Sequence, residues 1–484
     1  MFELTRRRLL RSGLTLSVGS AVAVRAAQAA EFLGLSAEVS DSKVAPRERL
    51  LMDFDWKFFQ GNGTDPSLDL DFGAGQGDFA KAGAFSFAKE KLDDSKWCKL
   101  NLPHDWAVEL PFVHDDSLQG HGYKPLGRRY PATSVGWYRR GFEVPKEDKS
   151  RRISIEFDGV FRDALIFMNG FFLGRNNNGY CPFSFDATDY VNWGGTNFLV
   201  VRVDASLGDG WFYEGAGIYR HVWMLKTDPV HLGRWESYVR SEVQGESAVL
   251  HLGAVVQNHG DHTTSCRVRW TVFDPQKKRV ATGESALQQV SPDASATFTA
   301  SVQVPRPELW SPETPALYTT EVAVEADGKE TDAETIRFGV RTARFDVDKG
   351  FLLNGRQVKI KGTCNHQDHA GVGVALPDSL QWFRLKVLKK MGSNAVRTSH
   401  NMPTPEWVEA CDRMGMMMLC ETRLMESTTD GLAQLETMIK RYRNSPSIIL
   451  WGMGNEEWPL QLCSRRAAQE RLLLRPQLRN LGRS

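Results

Sequence analysis

Residues 394–421 read NAVRTSHNMPTPEWVEACDRMGMMMLCE, and three elements can be read from them directly. Asn394-Ala395-Val396-Arg397 is a short strand closed by a charged residue. Thr404 then supplies an N-cap hydroxyl, and Pro405 takes the first helical position, where a missing N–H is not missed. Gly415 ends that helix, and Met416 to Cys420 is another apolar run of strand length. The same alternation continues on both sides. Val358-Lys359-Ile360-Lys361 is expected as an earlier strand, followed by a helix from Asp378 to Met391 that Gly392 closes. Downstream, Leu432, Leu435, Met438, Ile439 and Tyr442 fall on one helical face, and Ile448 to Trp451 is the next strand. Strand and helix alternate four times, the pattern of a βα barrel or a doubly wound sheet. A (β/α)8 barrel needs about 250 residues, whereas only about 140 remain from residue 344 onwards, so the expectation is half a barrel over 344–460.

Upstream the period changes from helical to alternating. Between 50 and 228, runs such as Arg152–Phe157, Ala164–Met168 and Phe198–Val203 are separated by Gly, Asn and Asp turns. Asn169-Gly170 between two apolar runs is a hairpin signal, because both turn positions need φ > 0. So many close-spaced strands predict a β-sandwich. From 229 to 343 the alternation continues through Ala248–Leu252, Val268–Val272, Thr297–Val302 and Leu317–Val322, at the spacing of an immunoglobulin-like sandwich.

The whole chain has 484 residues, room for roughly three domains. It is 41% hydrophobic and 25% charged, as soluble globular proteins are. A net charge of +1 gives no support for nucleic-acid binding. Seven cysteines at 98, 181, 266, 364, 411, 420 and 463 show no metal-ligand spacing and read as mostly buried thiols. Residues 1–29 contain Thr5-Arg6-Arg7-Arg8-Leu9-Leu10-Arg11, an apolar stretch from Ser12 to Val24, and Ala27-Gln28-Ala29. This is expected to be a twin-arginine-like export signal, since the apolar part is too short to span a bilayer. The localisation it implies is periplasmic or extracellular, with no membrane span.

In βα barrels the chemistry gathers at the C-terminal ends of the strands. Here those ends carry Asn365-His366-Gln367-Asp368-His369, then Arg397-Thr398-Ser399-His400-Asn401, then Glu421-Thr422-Arg423, and finally Asn455-Glu456-Glu457-Trp458. Carboxylates, imidazoles, an Arg and an amide on one face suit a polyhydroxylated ligand and proton transfer to a glycosidic oxygen. Plainer readings stand beside this one. A loop His is often only solvated, Arg397 can be a structural ion pair to Glu421, and Glu457 beside Glu456 can be helix-start charge.

These stretches resemble glycoside hydrolase family 2, which includes β-galactosidases, β-glucuronidases and β-mannosidases. Residues 394–403 resemble its first signature, and residues 442–456 its second, with Ser445 where a His is more usual. Asn101–Trp106, Val135–Arg140 and Gly215–Arg220 look like the family's jelly-roll domain, and Leu309–Pro312 like its second sandwich. Lys361–His366 looks like barrel strand one. The β-galactosidase type is the nearest. The resemblance implies a retaining hydrolase of terminal β-glycosides. In it Glu456 is the acid/base, Asn455 holds the sugar 2-hydroxyl, His366 and His400 line the terminal-sugar pocket, and Arg397 fixes carboxylate geometry. A retaining enzyme sets two carboxyls about 5 Å apart. The family's nucleophile is a Glu on a much later strand, and after Trp458 only Glu470 remains. Glu470 lies in 461–484, a stretch with six Arg and no aromatic residue that is unlike the preceding domain. A frameshift or truncation near 460, leaving this chain without its nucleophile and inactive, is therefore expected. The alternative for the tail is an amphipathic helix closing a shortened domain. Rival functions are a β-glucuronidase or β-mannosidase, or a non-catalytic carbohydrate-binding remnant. Family members often use Mg²⁺ or Na⁺, for which Asp368 and Glu421 are candidate ligands, but no clear metal cluster is legible. A homo-oligomer is left open by the sequence.

Overall fold

The Asn169-Gly170 turn holds φ at 52° and 91°, and the flanking strands Ala164–Met168 and Phe171–Asn176 pair antiparallel across it. The computed structural model describes residues 45–74, 85–208, 210 and 212–455. The expected leader, Glu456 and the tail 461–484 lie outside them. The first domain is a jelly-roll sandwich. One sheet runs in the order Cys98–Leu100, Trp56–Gln60, Val135–Glu143, Thr196–Asp204, Ala164–Met168, Phe171–Asn176. The other runs Glu48–Leu51, Val222–Thr227, Arg152–Phe157, Phe183–Asp186. Between them Trp56, Tyr138, Ile155, Phe157, Ile166 and Val201 are buried, each large apolar side chain contributing about 1.5–3 kcal/mol.

The second domain is immunoglobulin-like. Ser247–Asn258 pairs with Tyr238–Gln244 on one side and Ala294–Pro305 on the other, while Thr264–Phe273 and Tyr318–Ala326 lie side by side in the facing sheet. Alternate residues of these strands point inward, so that Leu250, Leu252, Val268, Trp270, Phe298 and Val322 meet.

The third domain is half of a TIM barrel. Its elements are β1 (Gly362–Asn365), α1 (Asp378–Lys390), β2 (Ala395–Thr398), α2 (Pro405–Met414), β3 (Met417–Glu421), α3 (Thr429–Tyr442) and β4 (Ile448–Gly452). The strands are parallel and follow chain order across the sheet. Thr404 caps α2 by accepting from Trp407 N, and Gly415 closes it at φ 65°. A side chain at 415 would also meet Pro312 O at 2.4 Å, so only glycine fits there. One expectation is corrected. Residues 358–361 are not a strand, and β1 begins at Gly362. Asn394 explains this, since its Oδ1 accepts from Lys361 N at 2.8 Å and its Nδ2 donates to Lys359 O at 2.9 Å. A side chain thus satisfies the backbone that a neighbouring strand would otherwise pair.

Among the described residues β1 and β4 pair on one side only. On α1 and its C-cap, Phe383, Val387 and Met391 recur every four residues and are exposed, forming an apolar stripe such as a neighbouring barrel helix would cover. The purified chain is expected to enhance the fluorescence of an anilinonaphthalene dye, and Phe383→Lys with Val387→Lys to remove most of that signal. An undiminished signal in the double variant would place the exposed apolar surface elsewhere.

Both sandwiches brace the half barrel. Arg220 of the jelly roll donates to Met402 O at 2.7 Å and Gln367 Oε1 at 3.1 Å, so it supports the loops after β1 and β2 together. Trp310 Nε1 of the second domain reaches Asp412 O at 2.9 Å. Asp412 also takes the hydroxyl of Ser445, the residue that departs from the family pattern, and burial pushes its carboxyl up to about 6. His221 forms a third brace, bonded to Asp53 Oδ2 at 2.5 Å and to Asp378 Oδ1 of α1 at 3.0 Å, with Glu406 at 3.8 Å. Burial opposes its charge, but the hydrogen bonds to Asp378 and Asp53 outweigh that and raise it to about 11. Its folded-state pKa therefore lies above the unfolded value near 6.5. The stability it adds is complete below about pH 6.5 and is lost as pH rises towards 11. His221→Gln is expected to cost about 3 kcal/mol at pH 6, and the gap from wild type should narrow in unfolding titrations towards pH 10. A gap that does not change with pH would refute a charged imidazole.

Candidate active site

The mouth of the half barrel is built from strand ends. Thr398 and Glu421 close β2 and β3, with Thr398 Oγ1 accepting from Glu421 N at 3.3 Å. This seats the Glu421 side chain at the rim, where it is 1% exposed. Both its oxygens are occupied. Arg397 Nε donates to Oε2 at 2.8 Å, and His400 Nδ1 lies 2.9 Å from Oε1. Arg397 Nη2 also donates to Asn455 Oδ1 at 2.7 Å, so one guanidinium ties the ends of β2, β3 and β4 together. Because Oδ1 faces Arg397, the Asn455 amide is oriented with its N–H₂ left to donate elsewhere. Burial works against the charge on Arg397, but the bond and attraction to Glu421 prevail and its pKa is raised. It remains a fixed cation.

His366, from the loop after β1, stands edge-on to His400 with ring centroids 5.3 Å apart. Burial first, and the second imidazole after it, lower the pKa of His366, which favours the neutral ring. A neutral imidazole offers one donor and one acceptor, which matches a sugar hydroxyl. The structure thus sets Arg397 and His400 on Glu421, with Asn455 bonded to Arg397 and His366 beside His400. Glu456, next in the chain after Asn455, lies outside the described residues.

One participant is not legible from the barrel sequence. Phe212 comes from the jelly roll and lays its ring 4.6 Å from His366 and 6.1 Å from His400. The Arg423 guanidinium sits 5.3 Å from the same ring. Asp105, of the Asn101–Trp106 motif, fixes this approach by accepting from Tyr213 Oη at 2.7 Å, Ala216 N at 2.9 Å and Val374 N at 3.1 Å. The one available signal is the aromatic run Trp211-Phe212-Tyr213 just before Gly215–Arg220.

Among the described residues, the imidazole of His221 and the carboxylates of Asp378 and Glu406 bring possible metal-ligand atoms within 4.8 Å of one another. That imidazole is already bonded on both sides. Asp368 and Glu421 do not join such a group, and the Glu421 oxygens are taken up by Arg397 and His400. No helix among the described residues is long and apolar enough to cross a membrane.

Comparison with known proteins agrees with this architecture. The profile of the glycosyl hydrolases family 2 sugar binding domain matches residues 82–229, that of glycosyl hydrolases family 2 matches 232–341, and that of the family 2 TIM barrel domain matches 346–472. The barrel profile thus runs past residue 460, where the composition changes. The β-galactosidase BoGH2A of Bacteroides ovatus is 38% identical over 87% of this chain and 48% of its own. A β-glucuronidase of Formosa agariphila is 27% identical over 85% of this chain and 42% of its own. The crystal structure of a β-glycosidase from Bacteroides vulgatus superposes with a TM-score of 0.74 at 31% identity, covering 89% of this chain and 53% of that one. The chain spans about half the length of the relatives it matches. Three domains of one family, matched in order from residue 82 to residue 472 and supported by relatives of the same kind, show that the chain belongs to glycosyl hydrolase family 2.

Proposed function

We propose that this chain carries the sugar-holding and acid-bearing half of an exported, retaining β-glycosidase of β-galactosidase type. The single observation that carries the proposal is the Arg397 guanidinium joining Glu421 to Asn455 beside the crossed imidazoles of His366 and His400. The Asn455 amide so oriented would donate to the 2-hydroxyl. His366 and His400 would wall the pocket of the terminal sugar. Glu456, directly after Asn455, would protonate the leaving oxygen and then activate water. Its task needs a raised pKa, and its partner carboxylate must stay ionised about 5 Å away across the anomeric carbon. Glu421, the carboxylate at the described rim, has both oxygens engaged by Arg397 and His400, which supports the reading that the second carboxylate is not supplied here. The 484-residue chain by itself would therefore bind a β-galactoside without hydrolysing it. Twin-arginine-like export is proposed on the basic start and apolar stretch of residues 5–29.

The preference for galactose rests on the 38% identical β-galactosidase, while β-glucuronidases among the relatives support a uronic-acid substrate as the second reading. Assays with nitrophenyl β-galactoside and β-glucuronide test this. No turnover, with binding of the galactoside alone, fits the proposal. Turnover that Glu456→Gln abolishes would show a complete site within this chain. Binding of the glucuronide alone would favour the second reading.

A further inference from the structure

Beside the strand-end cluster lies a second cavity, which shares His366 with it but includes none of Arg397, His400, Glu421 or Asn455. It sits between the loops after β1 and β2 and the first turns of α1 and α2, and its lining includes Gln381, Arg384, Ser399, Asn401, Thr404 and Trp407. Five buried groups of this lining have no hydrogen-bond partner among the described residues: Trp407 Nε1, Asn401 Nδ2, Ser399 Oγ, Gln367 Nε2 and His366 Nδ1, of which the first three lie deepest. Trp407, Asn401 and Ser399 are 5%, 2% and 2% exposed. A buried polar group without a partner costs about 1–3 kcal/mol, so several around one cavity, most of them donors, imply a guest that accepts hydrogen bonds. The cavity offers about 30 Å³, room for about one or two water-sized guests and too little for a phosphate or a sugar.

The charge around the cavity decides what kind of guest fits. The indole N–H can only donate, and among the described residues no carboxylate lines the cavity. Arg384 does line it, and its two terminal nitrogens donate to the neutral carbonyl oxygens of Gln367 and His366, with Asp368, outside the lining, as the nearby carboxylate that offsets part of its charge. The N-terminus of α2, with Thr404 as cap and Trp407 in the first turn, adds positive potential from the helix dipole. We propose that this cavity binds one small monovalent anion of the halide class, held by Trp407 Nε1, Asn401 Nδ2 and Ser399 Oγ beside Arg384. The anion fastens the loop bearing His366 to the loop bearing His400, and so stiffens the rim from behind without touching substrate.

Thermal unfolding of the 484-residue chain in sodium chloride, sodium bromide and sodium gluconate at matched ionic strength tests this. Either halide should raise the midpoint by about 2 °C or more over gluconate. Trp407→Phe keeps the ring and removes the N–H, and it should abolish most of that difference whatever its effect on absolute stability. Ser399→Ala should reduce the difference as well. Crystals grown in bromide should show an anomalous peak in the cavity. Equal midpoints in the three salts, an undiminished halide effect in Trp407→Phe, or oxygen-like density without anomalous signal would each overturn the proposal in favour of ordered water.

Discussion

Arg397→Met is expected to cost about 3 kcal/mol of stability and at least ten-fold in affinity for a β-galactoside, more than any other single change at the rim. Glu421 is almost fully buried, and Arg397 is the permanent cation beside it. Without that cation a buried carboxylate depends on His400 alone, and the usual result is loss of fold stability rather than a quiet surface change. The same substitution frees Asn455, whose orientation depends on Arg397 Nη2. Stability and binding should therefore fall together. Urea unfolding and calorimetric titration measure both. A variant that keeps full stability but loses binding would mean that Glu421 does not need the guanidinium.

Arg441→Met should be the most costly change away from the rim, at about 3–5 kcal/mol. Arg441 of α3 donates to Asp158 of the jelly roll, and both side chains are nearly inaccessible to water. Burial alone would raise the Asp158 carboxyl, but Arg441 first and Arg49 after it hold it down to about 2. The folded pKa is below the unfolded value of 3.8, so the pair's stability is complete above about pH 4 and is lost as pH falls through 2. The difference in unfolding free energy between wild type and Arg441→Met should thus be large at pH 7 and smaller at pH 3. If the gap is below about 1 kcal/mol at pH 7, the joint between α3 and the first sandwich is not held by this pair.

Much of this architecture can be read in the sequence because the decisive residues act locally. Asn169-Gly170 supplies the two positive φ angles of a hairpin, and Thr404, Pro405 and Gly415 mark both ends of α2. Alternation in Ser247–Asn258 and Thr264–Phe273 follows directly from a two-faced strand. The misplaced first barrel strand has a non-local cause. Val358–Lys361 has strand-like composition, but Asn394, more than thirty residues later, takes the Lys361 N–H and the Lys359 carbonyl. At the rim, the ion pair between Arg397 and Glu421 was one of the readings open from the sequence, while the added bond to Asn455 depends on the closing of β4 beside β3. Phe212 is hidden for the same reason, since it reaches His366 from more than 150 residues upstream, across a domain boundary. The donor-lined cavity could not be foreseen either, because its lining residues are ordinary loop and helix positions until the loops after β1 and β2 are brought together.

The central proposal is that the strand-end cluster is a sugar site. Calorimetric titration of the 484-residue chain with a non-hydrolysable thio-β-galactoside tests it most directly. Saturable binding, weakened at least ten-fold by Arg397→Met and by His366→Ala in variants that remain folded, is the predicted result. Absence of binding, or binding that neither substitution alters, would contradict the account.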